Sequence, residues 1–545
     1  MKYIQGTDRN QLSILPECIE DYIDEDNQVR VIDAFVNSLD MEKLGFERAV
    51  PNLMGRPSYD PRDLLKLYIY GYLNKIRSSR KLEKECTRNI ELFYLLKKLT
   101  PDFRTISDFR KDNPKAIKNT FKEFGKLCLK LNLFNKELLA VDGTKIRAVN
   151  SKENCYNMEV LEKKLANIEE KLNAYLNRLD EADETENENT ETEKESIKKA
   201  IKELTERKIK YEELSTELEL SGETQILTTD PEARRMYSKD GFHCCYNVQT
   251  AVDSGSHLIA EFEVTNKNTD SGLLNETTEK AKELLEVKTI EVVADKGYES
   301  KSDILNCVLN GTAPTVALKL DKTHRTFEFP YEEKEITEEE RKDIENIEKC
   351  IKAGVLPECY EKTGISVEIQ KKNCESCFVR NERGEVTCPM GNKLEYSKKK
   401  GVNTVYYDRL KCRNCKNKCT ASAFKEVSFG PETNCVPVKI FGNVKTNLQK
   451  IPDDAKISSF NHTLDTKKVP DAKVVLRIKD DKEKIGKRMC LSEHPFGTIK
   501  WYHGAHYLLC KGKLKATAEM GLSFLAYNMI RAINMIGVKK IIEAI

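Results

Sequence analysis

The sequence predicts a multi-domain protein: a helical N-terminal domain followed by an α/β core that carries two insertions, one a coiled coil and one rich in cysteine. Three observations predict it. Apolar residues at helical spacing dominate up to about residue 130, whereas short β-branched runs at 138–141 and 289–294 each end on an aspartate with a glycine close behind. Between these runs lies a pair of heptad stripes, and beyond them a group of cysteines. At 545 residues the chain can bury a large core and should hold two or more domains.

Within residues 1–130, Leu64 to Leu73 reads as an apolar, tyrosine-rich helix buried on most sides, with Asp60 and Pro61 as its start signals. A basic segment follows. Between Asn74 and Arg88 six cations (Lys75, Arg77, Arg80, Lys81, Lys84, Arg88) face two acids, Glu83 and Glu85. Leu138-Leu139-Ala140-Val141 then forms the first core strand and runs straight into a turn at Asp142-Gly143-Thr144.

From 151 to 225 the chain leaves the core. Leu161, Leu165, Ile168, Leu172, Tyr175 and Leu179 alternate at four- and three-residue spacing, and Ile197, Ile201, Leu204, Tyr211 and Leu218 continue a similar stripe. The acid-rich stretch Glu181 to Glu195 separates them. Two such arms fold back as an antiparallel coiled-coil hairpin, serving either as a subunit contact or as a spacer.

The core resumes with a β-hairpin, 246–252 and 258–264, joined across Asp253-Ser254-Gly255-Ser256. A helix near 271–286, the strand ending at Asp295, a helix at 302–309 and a short strand at 315–318 follow. A third acid, Glu493, lies in Ser492-Glu493-His494-Pro495-Phe496-Gly497, ahead of the helix-like Thr498-Ile499-Lys500. Singly, each acid reads as a turn residue or helix cap. Together, two strands that deliver Asp142 and Asp295 to one sheet edge, joined by Glu493, make an all-oxygen site suited to Mg²⁺ or Mn²⁺. Two such ions activate a water or a 3′-hydroxyl and stabilise the leaving oxygen of a phosphodiester.

Lys and Arg number 91 against 89 Asp and Glu, so a nucleic-acid partner cannot be argued from net charge and rests on patches. One patch is the basic segment. The other runs from Phe496 onward, where seven cations face two acids. No signal-peptide pattern opens the chain and no stretch approaches 18 apolar residues, which predicts a cytoplasmic protein without a membrane partner. The 18 cysteines are then read as thiols or metal ligands, not disulfides. Trp501, the sole tryptophan, either packs or offers a stacking surface to a distorted base.

In their order and spacing these blocks resemble the DDE transposases of bacterial insertion sequences, cut-and-paste enzymes whose catalytic domain has a ribonuclease-H-like fold. The resemblance extends over nearly the whole chain. It is carried by Pro101-Asp102-Phe103-Arg104-Thr105-Ile106-Ser107-Asp108-Phe109-Arg110, Ala140-Val141-Asp142-Gly143-Thr144-Lys145 and Thr229-Asp230-Pro231-Glu232-Ala233-Arg234-Arg235-Met236. Tyr246 to Asp253, Ala294 to Tyr298 and Glu493-His494-Pro495-Phe496-Gly497-Thr498-Ile499-Lys500 complete it.

The resemblance implies that Asp142, Asp295 and Glu493 are the catalytic triad and hold two Mg²⁺ or Mn²⁺ ions. It also implies that Arg488 and Lys500, neither with an obvious carboxylate partner nearby in sequence, contact DNA phosphates. A tyrosine common three residues before that arginine is replaced here by Ile485. Residues 1–130 would recognise the element's ends, presenting Arg77, Arg80, Lys84 and Arg88 to DNA. The ribonuclease-H-like core would comprise 131–150 and 226–320, interrupted by the coiled coil at 151–225. An insertion at 321–480 would precede the 481–545 segment bearing Glu493.

That insertion would hold a structural Zn²⁺ on Cys388, Cys412, Cys415 and Cys419, four thiolates closing a tetrahedral site. Cys374 and Cys377 form an alternative set with Cys412 and Cys415. The implied partners are the element's terminal inverted repeats, target DNA and a second copy of the chain, in a nucleoid-associated bacterial setting. A catalytically inactive DNA-binding descendant and a different ribonuclease-H-like nuclease are the alternatives.

Overall fold

The structure, a computed structural model, describes residues 18–51, 57–183, 188–238, 240–318, 324–371, 374–415, 419, 422–440, 449, 456 and 472–545. The chain divides into two compact units, residues 1–303 with 483–545, and residues 304–482.

The first unit opens with a run of helices, among them α1 (Gln28–Ser38), α2 (Pro61–Leu73), α3 (Ser79–Cys86), α4 (Ile90–Leu96), α5 (Phe103–Asp112) and α6 (Pro114–Lys130). Polar caps set several of their starts. Asn27, Asp60, Asn89 and Asp102 each accept hydrogen bonds from the first free backbone N–H groups of the helix that follows. All of α2 from Leu64 to Leu73 is buried. Burial of Lys66 within it is tolerated because Asp33 of α1 lies 2.7 Å from its ammonium group.

A sheet follows, built from β1 (Leu138–Arg147), β2 (Arg234–Ser238), β3 (Gly241–Asp253), β4 (Ile259–Thr265) and β5 (Ile290–Ala294). The long β3 pairs antiparallel with β1, β2 and β4, while β1 pairs parallel with β5. The first strand differs from expectation. In place of a turn at Asp142-Gly143, β1 runs on to Arg147, because residues 245–253 of β3 supply a ladder along its whole length.

Strand alternation gives the sheet two faces. On one, β4's Phe262 meets Phe121 of α6 and Phe524 of α11 (Lys513–Ile536) at centroid distances of 5.0 and 4.9 Å. Farther along that face α10 (Lys482–Gly497) sets Leu491 and Ile485 against Ala140 and Val293. On the opposite face α9 (Leu274–Leu285) brings Lys280 to 3.2 Å from Glu263 of β4. The last helix, α12 (Val538–Ala544), packs on α1.

Two long helices, α7 (Met158–Asp183) and α8 (Glu188–Ser221), lie side by side, antiparallel. Leu161 packs with Leu214 and Leu218 near their base, and Lys208 reaches Glu169 at 2.9 Å farther out. Helix extends into the acid-rich stretch from both sides; residues 184–187 lie outside the described residues.

Among the described residues the second unit holds three small antiparallel sheets. Ala472–Lys479 is the central strand of one, between Ile365–Lys371 and His324–Pro330. Another joins Cys374–Arg380 to Val386–Thr387 and Cys435–Ile440, and the third is Tyr396–Lys400, Asn403–Tyr407 and Glu426–Phe429. Phe378, Val386, Leu394, Val427 and Phe429 form a core shared by the latter two sheets.

Candidate active site

The parallel register of β1 and β5 builds the centre of the site. Ala140 stands opposite Val293 and Val141 opposite Ala294, so the next residues along, Asp142 and Asp295, emerge abreast at the sheet's edge. Each acid takes the same local contact: Gly143 N–H donates to Asp142 Oδ1 at 2.8 Å, and Lys296 N–H to Asp295 Oδ1 at 2.8 Å.

Alternation also decides what faces them. Leu138, Ala140 and Asp142 share one face with Glu291, Val293 and Asp295, and α10 lies along that face. Its Lys484 pairs with Glu291, Ile485 and Leu491 pack on Ala140 and Val293, and Arg488 comes to the aspartates. The Arg488 guanidinium lies 3.6 Å from Asp142 Oδ2 and 3.9 Å from Asp295 Oδ1. One turn on, Ser492 is buried and its hydroxyl contacts Asp142. Ile485, where the resemblance led one to look for tyrosine, is part of the apolar seam that holds the helix down.

Burial pushes the Asp142 carboxyl above the ordinary aspartate range. The Ser492 hydroxyl, the Gly143 N–H and Arg488 pull it back, and the Asp295 charge adds to the rise. Two carboxylates side by side, one partly desolvated and sharing a single guanidinium, form a hard-oxygen pair suited to a divalent cation.

Glu493 sits on α10 immediately after Ser492, with its side chain exposed. Among the described residues, no group of three or more His, Cys, Asp or Glu side chains is gathered closely enough to hold a metal ion. The structure therefore brings two of the three expected acids together and places the third one step round the neighbouring helix. Beyond Gly497 the helix widens into a π turn, Thr498–Tyr502, which carries Lys500 and Trp501. Trp501 does not pack into the core: it is 76 % exposed and stacks on His506 at 5.9 Å.

Of the basic residues expected to meet DNA, Arg77 is corrected. Its guanidinium is buried, donates to the carbonyls of Gly504 and Tyr507, and lies 2.5 Å from Glu519 Oε1. A cation neutralised inside the protein presents nothing to a phosphate. Arg80 is exposed, with its guanidinium 4.8 Å from the centre of the Phe103 ring, and Lys84 is exposed as well. Arg88 is exposed but paired with Glu85. Arg488 likewise has the carboxylate partners that local sequence hides, both catalytic candidates.

In the second unit Cys388, Cys412, Cys415 and Cys419 line one cavity together with Phe378 and Leu394, without being gathered closely enough to form a metal-ligand set. Burial pushes the Cys419 thiol up to about 11, and the nearby sulfurs of Cys412 and Cys388 add to the rise. Cys377 instead lies beside Cys435 on paired strands, away from that cavity. The Cys374 side chain lies outside the described residues.

Sequence reasoning missed the polar group behind the aspartates. Asp270 accepts hydrogen bonds from Asn247 Nδ2 and Gln249 Nε2, both at 2.8 Å, and Tyr298 donates to Gln249 Oε1. A signal was available: Asn247 and Gln249 are alternate amides flanking Val248 in a strand buried along most of its length, and buried amides demand partners.

Residues 17–112 match the family described as Transposase domain (DUF772), and residues 134–354 match the family described as Transposase DDE domain. The two matches together take in more than half of the chain. Asp142 and Asp295 fall within the second match and Glu493 beyond it. No curated protein matches. Among solved structures, a cryo-EM structure of a piggyBac transposase synaptic complex with hairpin DNA aligns with 95 % of this chain and 79 % of that one, at 7 % identity and a TM-score of 0.28.

Proposed function

This chain belongs to the DDE transposases, and from that premise we propose that it binds the ends of its own mobile element, cleaves DNA there, and joins the freed 3′-hydroxyl to target DNA. The observation that carries the proposal is the parallel register that sets Asp142 abreast of Asp295 beneath Arg488. Asp142 and Asp295 would hold Mg²⁺ or Mn²⁺, and Glu493 on the adjoining helix would complete the set. Two such ions, when bound, supply an activated oxygen nucleophile and stabilise the leaving oxygen.

The chain's own residues prepare that site. Gly143 N–H holds the Asp142 carboxylate, while Arg488 supplies positive charge where a scissile phosphate would enter. Lys500 extends the basic track along the same helical segment, and exposed Arg80 and Lys84, with Arg88, would meet the element's ends. Antiparallel strands flanking a parallel pair, with helices on both faces, support the ribonuclease-H-like reading of the core. The paired α7 and α8 support the coiled-coil reading, and a contact between two copies on DNA is its proposed use. Cys388, Cys412, Cys415 and Cys419 line one cavity without being gathered as a ligand set, so a structural Zn²⁺ there is proposed on their C-x2-C spacing and would draw the four sulfurs together. A cytoplasmic, nucleoid-associated setting goes with this reading.

The test is cleavage of a duplex carrying the element's terminal repeat in Mg²⁺. Asp142→Asn, Asp295→Asn and Glu493→Gln should each abolish cleavage while leaving end binding within a few-fold. Robust cleavage by any one would remove that residue from the site. Cleavage by the wild type without strand transfer would make the chain a different ribonuclease-H-like nuclease, and binding without cleavage would make it an inactive descendant.

A further inference from the structure

We infer that Asp270 is a positioning residue for the carboxylate pair: it braces the backbone behind both catalytic candidates and thereby sets the metal affinity of a site it does not enter. The inference rests on the metal reading of Asp142 and Asp295. The face of β1 that carries Asp142 looks toward α10, so the next residue, Gly143, looks the other way. There a Cβ on Gly143 would come within 2.6 Å of Asp270 Oδ1 and 2.2 Å of Gln249 Nε2. On the turn after Asp295, a Cβ on Gly297 would lie 3.4 Å from Asp270 Oδ2. One carboxylate thus lies over both glycines that follow the aspartates, leaving no room for a side chain at Gly143 and only contact distance for one at Gly297.

The carboxylate is itself held on several sides. Asn247 and Gln249, the cross-strand partners of Lys145 and Gly143, both donate to Oδ1 at 2.8 Å. The Lys145 ammonium stands 3.7 Å from the same oxygen. Tyr298, fully buried at the end of the turn after Asp295, donates to the far oxygen of Gln249. Hydrogen bonds therefore run from the Asp295 turn through Tyr298 and Gln249 to Asp270, and the Lys145 ion pair carries the link on to the strand bearing Asp142. Any change in the separation of Gly143 from the Asp295 turn must stretch one of these contacts.

Groups that orient metal ligands without touching the metal typically change metal affinity or activity 10–100-fold when removed. Gly143 gives the reason for the small residue: any side chain there would displace Asp270 from its amide donors.

The experiment uses the full chain without DNA and follows thermal unfolding as Mn²⁺ is added, since an ion that binds only the folded state raises the melting temperature. Asp270→Ala should raise the Mn²⁺ concentration for half-maximal stabilisation by about 10–100-fold. Asp270→Asn keeps an oxygen acceptor for Asn247 and Gln249 and should stay within about threefold of wild type, a rescue that a merely space-filling role would not give. Tyr298→Phe removes one link and should shift the half-point several-fold, and it carries the test should Asp270→Ala fail to fold.

Wild-type half-points in Asp270→Ala or, where that variant does not fold, in Tyr298→Phe would overturn the inference. So would equal impairment by Ala and Asn, which would make the effect one of charge alone. A wild type that Mn²⁺ does not stabilise would overturn both this inference and the metal reading. A wild type that binds Mn²⁺ and does not cut end DNA would overturn only the DNA reading.

Discussion

Replacing Arg77 by Ala should cost folding stability and leave DNA affinity per folded molecule unchanged, the opposite of what its place in a basic run suggests. Its guanidinium is 8 % exposed and lies 2.5 Å from a Glu519 carboxylate that is wholly buried. It also donates to the carbonyls of Gly504 and Tyr507, which pins the loop leading from α10 to α11. Removing one partner of a buried ion pair costs about 3–5 kcal/mol because the other charge is left uncompensated. Here Glu519 keeps two backbone donors, Leu509 N–H at 2.9 Å and Cys510 N–H at 3.1 Å, which argues for the lower end, about 3 kcal/mol. With a urea slope of about 3 kcal/mol per molar, the unfolding midpoint should fall by roughly 1 M.

The assay is urea unfolding followed by circular dichroism, paired with end-DNA binding across a salt series. Arg77→Ala with Glu519→Ala should be less destabilised than the sum of the single changes, as coupled partners require. The slope of log affinity against log salt should not change. An Arg77→Ala protein of unaltered midpoint whose slope falls by about 0.9, the signature of one lost phosphate contact, would refute the reasoning and return Arg77 to the DNA surface.

Arg488→Ala should weaken end binding alike for many sequences and flatten the salt slope by roughly one contact; a change confined to one base position would make it a base reader. Metal analysis of the reduced wild type should find about one zinc per chain, lost in Cys415→Ser, and a zinc-free wild type would sink the assignment of the four cysteines. His503 is buried with neither ring nitrogen hydrogen-bonded, and burial, followed by the nearby Lys75 charge, lowers its pKa to about 4. The unfolded chain therefore takes up this proton first, so its contribution is complete above pH 6.5 and is lost as pH falls from 6.5 toward 4, by about 3 kcal/mol in all. His503→Phe should remove that part of the acid sensitivity; wild type and variant losing stability in parallel over this range would refute it.

What was legible in the sequence is what local pattern fixes. The run from Ile290 to Ala294 is apolar and largely β-branched apart from Glu291, so a central strand ending on Asp295 follows from those residues, and the structure places β5 there. Asp60-Pro61 ahead of an apolar stretch similarly announces α2. Pairing between distant segments is where local reading failed. Asp142-Gly143 has the composition of a turn, yet a ladder from residues more than a hundred positions later keeps it extended. Gly143 is there for what stands behind it, Gln249 and Asp270, and not for a bend.

The same separation explains the two arginines. Arg77 and Glu519 are 442 positions apart, and Arg488 meets aspartates on two strands far upstream, so in each case the neutralising acid is invisible to any window along the chain. A basic run therefore bounds how much positive charge can reach a surface and does not say which cations do. Within this one, the helical spacing of α3 offers a better guide: Leu82 and Cys86 mark its buried side, leaving Arg80 and Lys84 exposed. Arg77, ahead of the helix and outside its periodicity, was free to turn inward, where an unpaired Glu519 would otherwise have been untenable.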